Sequence, residues 1–334
     1  MSTRFKSVLK VASLLLLGTA LVLLAQVPRE NFSLTLVLFT LAFGAMLGSY
    51  FLDWRKDSFW WLLGVGLLFR GSLFFFAPQW SEDGVRFLWD GQLLRQGQNP
   101  YQMTPAQVQE QLGPEELGYR TQLFEELNSP HYYSVYPPLN QVLFWGAAQF
   151  AQGQLEKGYL ALRLLLLLGE VGVFSLLCWL LARFGLPQKQ VIFYWFNPLV
   201  ILEVIGNLHF EGLVLFFLVA SLANMSRNKL GLSGMFWGLA IGMKLLPMLF
   251  APSFLFWKQS RKSLGFWGMA IGIGLLCFLP LALGGAWQNF FQSLQLYQGK
   301  FEFNASVYYL LREVGNWLVG YNTIGILTKL GTAI

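Results

Sequence analysis

Long apolar runs, separated by short polar stretches, cover most of the chain and predict an all-α polytopic membrane protein. A helix needs about 20 apolar residues to cross the hydrocarbon core of a bilayer. Most of the runs come close to that length or exceed it, so we expect about ten transmembrane helices. The predicted spans are residues 11–27, 33–52, 58–77, 159–183, 189–206, 210–225, 230–246, 247–257, 265–283 and 315–333.

One further apolar stretch, residues 139–152, is too short to cross the membrane comfortably. Basic residues concentrate on the cytoplasmic side of membrane proteins, so the basic N-terminus (residues 4–10) is expected inside. If 139–152 does not cross, the basic clusters at 183–189, 227–229 and 258–262 also fall inside. The charge distribution therefore predicts that 139–152 is a re-entrant or interfacial helix.

The polar segments between the spans predict one integral-membrane domain, residues 1–334, without an evident internal repeat. Residues 78–158 are expected to form a large extracytoplasmic loop with juxtamembrane helices, and residues 284–314 a second outer loop. Two short turns, at 206–212 and 244–247, face the same side in this topology. We therefore expect functional polar residues in these four places.

The composition excludes a soluble protein, because only 12% of the residues are charged and 55% are hydrophobic. Ordinary soluble domains carry about 25% charged residues. Lys and Arg (23) outnumber Asp and Glu (17), but the cations mostly flank apolar runs, so we expect no nucleic-acid partner. Cys178 and Cys277 both lie in apolar runs, and no nucleotide-binding loop is present. Neither a metal site, a disulfide framework nor a cofactor is expected.

Charged residues just outside the third span form the first candidate site. The spacing of Asp83, Arg86 and Asp90 places them on one face of a helix, and Glu82 precedes them. A carboxylate can take the proton of an attacking hydroxyl, and arginine can hold a phosphate through paired hydrogen bonds. The alternative is an ordinary interfacial helix capped by Ser81, with acidic residues in its first turn.

A broken span supplies the second candidate site. Pro198 interrupts an apolar run, and such breaks are tolerated where the backbone lines a cavity. Glu203, His209 and Glu211 follow, and ionisable residues in membrane segments are candidates for function. The alternative for His209 is a hydrogen-bonded packing residue. Lys244, near the outer end of a later span, can hold a phosphate or extend to the lipid headgroups.

Several other polar side chains fall within or beside apolar runs. Tyr136 offers stacking and hydrogen bonds to a sugar, although an interfacial aromatic belt is the better explanation of this motif taken alone. Asn304 begins an Asn-Ala-Ser glycosylation pattern, and we prefer to interpret its segment as lining a substrate site. Arg70, Arg163 and Glu170 are expected to pair inside the protein.

In this order along the chain, the motifs resemble the GT-C superfamily of integral-membrane glycosyltransferases. More narrowly, the sequence is similar to the polyprenol-phosphate-mannose-dependent mannosyltransferases of bacteria. The resemblance runs from about residue 59 to residue 310. The motifs that carry it are Glu82-Asp83 with Arg86, Trp89-Asp90-Gly91, Asn99-Pro100-Tyr101, Tyr136-Pro137-Pro138, Phe196-Asn197-Pro198-Leu199, Gly206-Asn207 with His209 and Glu211, and Lys244 with Pro247.

The resemblance implies a GT-C fold and metal-independent, inverting transfer of a sugar, above all mannose, from a polyprenyl-phosphate donor. The acceptor would be lipid-linked or a cell-envelope glycan, and the site would face outward from a bacterial inner membrane. Asp83 would be the general base and Glu82 would assist, although relatives often have two aspartates here, which leaves open which carboxylate is catalytic. The residues implied in substrate binding are Arg86, Asp90, Tyr136, His209, Glu211, Lys244 and Asn304.

Two other classes of function fit parts of the pattern. A lipid or sugar transporter, such as a flippase, would also use broken helices and charges near the midplane, but it typically carries an internal repeat. A non-enzymatic assembly subunit would not require the charged residues to converge on one side of the membrane. Because the predicted topology does bring them together, we prefer the glycosyltransferase.

Overall fold

The fold is described from a computed structural model, for residues 3–51, 58–111, 118–256, 263–300 and 306–321. All regular elements in these residues are helical, which confirms the predicted all-α fold. The α-helices are α1 (Thr3–Leu24), α2 (Phe32–Phe51), α3 (Ser58–Ser72), α4 (Asp83–Arg95), α5 (Pro105–Gln111), α6 (Gly118–Glu125), α7 (Pro138–Ala151), α8 (Leu155–Arg183), α9 (Ile192–Trp195), α10 (Pro198–Ile201), α11 (Glu211–Ser226), α12 (Leu230–Met243), α13 (Ala251–Phe256), α14 (Leu264–Leu283), α15 (Trp287–Lys300) and α16 (Ser306–Val319).

Four helices, α1, α2, α8 and α14, are long and apolar enough to cross a membrane. A fifth candidate is a bent pair, Pro198–Gly206 followed by Glu211–Ser226, with 116° between the two parts. Shorter apolar helices at Phe59–Phe75, Leu230–Met243 and Leu246–Phe256 coincide with other predicted spans. These elements confirm the polytopic class, and the number of about ten spans stays a prediction.

The short stretch at 139–152 forms α7, which has 14 residues. Pro137 caps it, and Pro138 opens its first turn, where the missing N–H is no loss. The helix ends at Ala151, and the next residue, Gln152, has a φ of 48°, in the left-handed region. Its length of about 21 Å, at 1.5 Å per residue, is shorter than the hydrocarbon core. That length fits a re-entrant or interfacial helix, whose placement in the membrane stays a prediction.

An aromatic core joins α4 and α7 to the break in the bent pair. The ring of Phe87 stacks on that of Phe144, with centroids 4.4 Å apart. Phe210 meets both rings edge-on, at 5.2 and 5.3 Å. Leu208, two residues earlier, is fully buried. Because this core holds the start of α4 against residues 207–210, it brings the two predicted site segments together.

Arg70 and Glu170 pair inside the protein, as expected of each, and the structure identifies them as partners: both are fully buried, and their Nη2 and Oε2 atoms lie 2.6 Å apart. The Tyr194 hydroxyl donates to the other carboxylate oxygen, Oε1. The guanidinium also stacks 3.6 Å from the centroid of the Trp195 ring. Buried charges are tolerated when they are paired and hydrogen-bonded in this way, so the network ties α3, α8 and α9 together.

The chain divides into two compact units, residues 1–290 and residues 291–334. The second unit contains the end of α15 and the whole of α16. In α16, Leu310 and Trp317 expose their apolar side chains. The predicted last span, 315–333, falls mainly outside the described residues, and the single membrane domain stays a prediction.

Candidate active site

Five polar side chains meet beside the start of α4, and we call them the polar cluster: Asp83, Glu203, His209, Glu211 and Lys244. Asp83 is the first residue of α4, and Glu203 lies in a π-helical turn. His209 lies in the break of the bent pair, Glu211 begins α11, and Lys244 follows α12. Their side chains are between 31% and 53% exposed, so the cluster is accessible to substrates.

His209 stands between two carboxylates. Its Nδ1 lies 2.7 Å from Oε2 of Glu203, within hydrogen-bond distance. Its Nε2 lies 4.0 Å from Oδ2 of Asp83, which is too long for a hydrogen bond. The backbone N–H of His209 also donates to the Glu203 carbonyl oxygen at 3.0 Å. Glu203 therefore holds His209 through both its side chain and its backbone, and Nε2 faces Asp83.

The carboxylates around His209 favour its charged form. Burial lowers the pKa of His209, but the hydrogen bond and charge of Glu203, with the charges of Glu211 and Asp83, raise it further. The resulting pKa lies above the ordinary histidine value. Near neutral pH, His209 is therefore protonated to a greater extent than an ordinary histidine. The cluster therefore combines Lys244 with a histidine whose positive charge is favoured by its neighbours.

Lys244 and Glu211 form an ion pair at the edge of the polar cluster. Their side chains are 50% and 53% exposed. An exposed ion pair contributes only about 0–1 kcal/mol, because water competes for both charges. Lys244 can therefore leave Glu211 for another anion at little cost.

The break that exposes His209 begins at the predicted interruption of the helix. The Asn197 side chain accepts a hydrogen bond from the backbone N–H of Leu199 at 3.0 Å, and Pro198 opens the short helix α10. The π-helical turn, Leu202–Gly206, follows directly. Leu208 then takes a φ of 63°, a conformation that costs a non-glycine residue energy and reverses the chain. The strained residue is held because its side chain is buried.

Arg163 of α8 stabilises this break through hydrogen bonds to backbone carbonyl oxygens. Its Nε donates to the carbonyl oxygen of Ile205 at 3.0 Å, and its Nη2 to that of Gly206 at 3.2 Å. Nη1 and Nη2 also donate to the carbonyl oxygens of Phe74 and Phe76, at 3.1 and 2.6 Å. These carbonyls belong to helix ends, where the backbone has no intrahelical donor. Arg163 therefore does pair inside the protein, as predicted, but with backbone groups.

Glu82 and Asp83 lie at the start of α4, as predicted. Glu82 occupies the N-cap position without a capping hydrogen bond from its side chain. The N-cap is therefore not Ser81, although Oγ of Ser81 accepts a hydrogen bond from the backbone N–H of Asp83 at 3.3 Å. The N–H of Trp80 donates to Oδ1 of Asn207 at 3.2 Å. This contact links the segment before α4 to the break that carries His209.

Arg86 and Asp90 share a helix face, as their spacing predicts, but they form an ion pair with each other and point into the protein. Nε of Arg86 lies 2.8 Å from Oδ1 of Asp90, and the side chains are 5% and 0% exposed. Nη1 of Arg86 donates to the carbonyl oxygen of Tyr132 at 3.1 Å. Oδ2 of Asp90 accepts from Ser134 Oγ at 2.5 Å and from Gln141 Nε2 at 2.9 Å. This pair therefore contacts the loop before α7. It is separate from the ion pairs of the polar cluster.

Tyr136 packs in the aromatic core. Its ring meets those of Phe87 and Phe144 edge-on, at 4.9 and 5.5 Å. Its carbonyl oxygen accepts a hydrogen bond from the hydroxyl of Tyr101 at 2.6 Å. Asn304 lies outside the described residues. The proposed sugar contacts of both residues stay predictions.

Glu203 belongs to the polar cluster although the sequence interpretation did not place it among the substrate-binding residues. An ionisable residue within an apolar run was the available signal. Its contact with His209 depends on the π-helical turn, which no sequence pattern indicated. Within the described ranges, no group of three or more His, Cys, Asp or Glu side chains is arranged to hold a metal ion.

Comparison with known proteins adds an independent finding. The family model described as alpha-(1->6)-mannopyranosyltransferase, N-terminal domain, matches residues 7–259, which include every candidate site residue except Asn304. Alpha-(1->6)-mannopyranosyltransferase B of Corynebacterium glutamicum is 31% identical over 160 residues. That alignment covers 47% of this chain but only 24% of the relative. No solved structure shows significant similarity to the chain.

Proposed function

Because the chain belongs to the alpha-(1->6)-mannopyranosyltransferase N-terminal-domain family, we propose that it is a membrane mannosyltransferase. The donor is a polyprenyl-phosphate sugar, and the acceptor is a lipid-linked or cell-envelope glycan. The site faces outward from a bacterial inner membrane, where a lipid donor can enter from the surrounding bilayer. The observation that carries the proposal is the polar cluster, in which the partly exposed Asp83 carboxylate lies 4.0 Å from His209 and Lys244 pairs with Glu211.

In the proposed reaction, Asp83 takes the proton of the acceptor hydroxyl. The hydroxyl oxygen attacks the anomeric carbon and forms the new glycosidic bond with inversion. The bond from that carbon to the phosphate oxygen breaks, and its electron pair leaves with the polyprenyl phosphate. Lys244 and His209 stabilise the charge that develops on the phosphate. Glu82, next to Asp83, is the alternative base. Arg86 and Asp90 support the site from inside the protein.

The test is transfer of radiolabelled mannose from synthetic polyprenyl-phosphate-mannose into membrane lipid by the purified chain. Asp83→Asn removes the base, so we expect kcat to fall by about 100-fold or more. Glu82→Gln is measured in parallel, and Glu125→Gln, at an exposed position of α6, serves as the matched control. The product should have the anomeric configuration opposite to that of the donor.

The outcomes separate the candidate functions. Full activity of Asp83→Asn with loss of activity in Glu82→Gln would move the base to Glu82. Absence of transfer by the wild-type chain, with several sugars and acceptors, would contradict the enzyme proposal. The bend of 116° in the broken span then favours a transporter, because transporters build their sites from discontinuous helices. Movement of a labelled lipid across proteoliposome membranes would test that alternative.

A further inference from the structure

Glu203 has no role in the reaction as proposed, yet it makes the closest side-chain contact to His209. Its Oε2 lies 2.7 Å from Nδ1 of the imidazole. The carboxylate is 31% exposed and lies in the single π-helical turn of the broken span. Such turns are rare and occur frequently at functional sites. Placing an ionisable residue in an apolar segment costs free energy, so its role calls for an explanation.

The contact determines which imidazole nitrogen faces the substrate. A carboxylate accepts hydrogen bonds, so Nδ1 carries a proton when it bonds to Glu203. Nε2 then lies on the opposite side of the ring, 4.0 Å from Oδ2 of Asp83. That distance is beyond a hydrogen bond, so Nε2 is directed towards the proposed base without donating to it. The backbone hydrogen bond from His209 to Glu203 and the buried Leu208 hold the ring in this orientation.

We infer that Glu203 is a positioning residue that accepts the Nδ1 proton of His209 and orients the ring, so that Nε2–H donates to a phosphate oxygen of the donor. This inference rests on the proposed function and deepens it. As the bond between the anomeric carbon and the phosphate oxygen breaks, negative charge grows on the phosphate. A protonated imidazole already aimed at that charge stabilises it without further reorganisation. Lys244 supplies the second cation once it leaves Glu211.

Three carboxylates surround His209: Glu203 from the same broken span, Asp83 from α4 and Glu211 from α11. Glu211 is in turn paired with Lys244. Of the three carboxylates, only Glu203 makes a side-chain hydrogen bond to the ring. Neutralising Glu203 therefore removes the largest contribution that raises the pKa of His209, whereas burial continues to lower it. The pKa of His209 is expected to fall in Glu203→Gln.

The chain has only two histidines, so the ring can be observed directly by NMR of histidine-labelled protein in detergent micelles. His131→Asn assigns the remaining signals to His209. We expect the midpoint of the His209 titration to move to lower pH in Glu203→Gln and to stay unchanged in the control Glu125→Gln. An unchanged midpoint in a folded Glu203→Gln protein would overturn the inference.

A second measurement needs no variant at position 203. At alkaline pH the nitrogen shifts of neutral His209 should report the Nδ1–H form, because Glu203 accepts that proton. Imidazole free of such a partner favours the other tautomer. Observation of the Nε2–H form in the wild-type chain would therefore overturn the inference even if Glu203→Gln did not fold.

The activity assay adds a third readout. We expect kcat of Glu203→Gln to fall by about 10-fold to 100-fold, in the range seen when partners that orient metal-binding histidines are removed. The alkaline limb of its pH profile should move to lower pH, because activity requires protonated His209. An equal loss at every pH would indicate a structural role alone and contradict the inference. Absence of transfer by the wild-type chain would instead contradict the proposed function and leave the NMR results intact.

Discussion

Asp90 is a buried carboxylate whose two oxygens both accept hydrogen bonds. Arg86 balances its charge, while Ser134 and Gln141 complete its hydrogen bonds. The carboxylate has no exposed surface for a substrate. A buried ion pair need not add stability over an apolar pair of the same shape, but removing one partner leaves an uncompensated charge. We therefore expect Asp90 to act through stability.

The change Asp90→Asn should lower the free energy of unfolding by about 3–5 kcal/mol, because the Arg86 charge stays buried without its partner. The measurement is an unfolding titration in mixed micelles, with the exposed Glu125→Gln as the control. Adding Arg86→Met to Asp90→Asn removes the unpaired charge and should recover part of the loss. A stable Asp90→Asn protein that has lost transfer activity would instead support a direct role in binding substrate.

Much of the candidate site could be predicted residue by residue, but not the contacts. The spacing of Arg86 and Asp90 predicted that they share a helix face, because residues four apart lie on the same side of a helix. It could not predict that this face points inward, since α4 is buried on almost all sides. His209 stood out as an ionisable residue beside a membrane segment. Its hydrogen bond to Glu203 depends on one π-helical turn and one left-handed residue, which the surrounding packing determines.

At the scale of elements, α4 and α7 approach so closely at Gly91 that no side chain fits between them. A Cβ atom at this position would lie 2.2 Å from the carbonyl oxygen of Phe144 and 3.0 Å from Cβ of Ala148. Backbone atoms cannot move aside without shifting the helix. Since α4 also carries Asp83, the packing at Gly91 fixes the position of the proposed base.

The change Gly91→Ala should destabilise the protein by about 1–3 kcal/mol, because the helices must separate to accept the methyl group. It should also lower kcat, since Asp83 moves with α4. Gly146→Ala is a matched control in the neighbouring helix α7, where an added Cβ would meet no atom within 4 Å. The control should be neutral or slightly more stable, because alanine favours helix over glycine. Equal effects of the two changes would argue against close packing at Gly91.

The elements themselves were largely predictable, and their directions were not. The prolines and length of 139–152 predicted α7 to within a residue at each end. Pro198 predicted an interrupted span, because proline cannot continue the backbone hydrogen bonds of the preceding turn. The turn of 116° follows from Leu208 and from the carbonyls that Arg163 holds. A guanidinium bonded to carbonyl oxygens leaves no pattern in the sequence, since every residue has a carbonyl.

At the scale of the whole molecule, α8 runs from the polar cluster to the basic cluster at residues 183–189. Near its start, Tyr159 lies beside Gly84, next to Asp83. At its end, Nη2 of Arg183 donates to the carbonyl oxygen of Ser226 at 2.8 Å, at the end of α11. The 29 residues of α8 span about 43 Å at 1.5 Å per residue, enough to cross a bilayer. The polar cluster and this basic end therefore lie at opposite ends of one long helix.

Labelling of single cysteines tests the sidedness that the charge distribution predicts. With Cys178 and Cys277 replaced by alanine, Gln96→Cys places a thiol at the end of α4, and Gln188→Cys places one after α8. Both positions are exposed. A membrane-impermeant maleimide applied to intact spheroplasts should label the cysteine at 96, and should label the one at 188 only after the membrane is permeabilised.

The reverse labelling pattern would change the chemistry and not only the orientation. It would place the polar cluster at the cytoplasmic face, where nucleotide sugars are available as donors. The proposed polyprenyl-phosphate donor suits a site at the outer face, because a lipid carries the sugar where no nucleotide sugar need be present. The side of the membrane on which Asp83 and His209 lie therefore tests whether the donor that the polar cluster binds is a lipid phosphate or a nucleotide sugar.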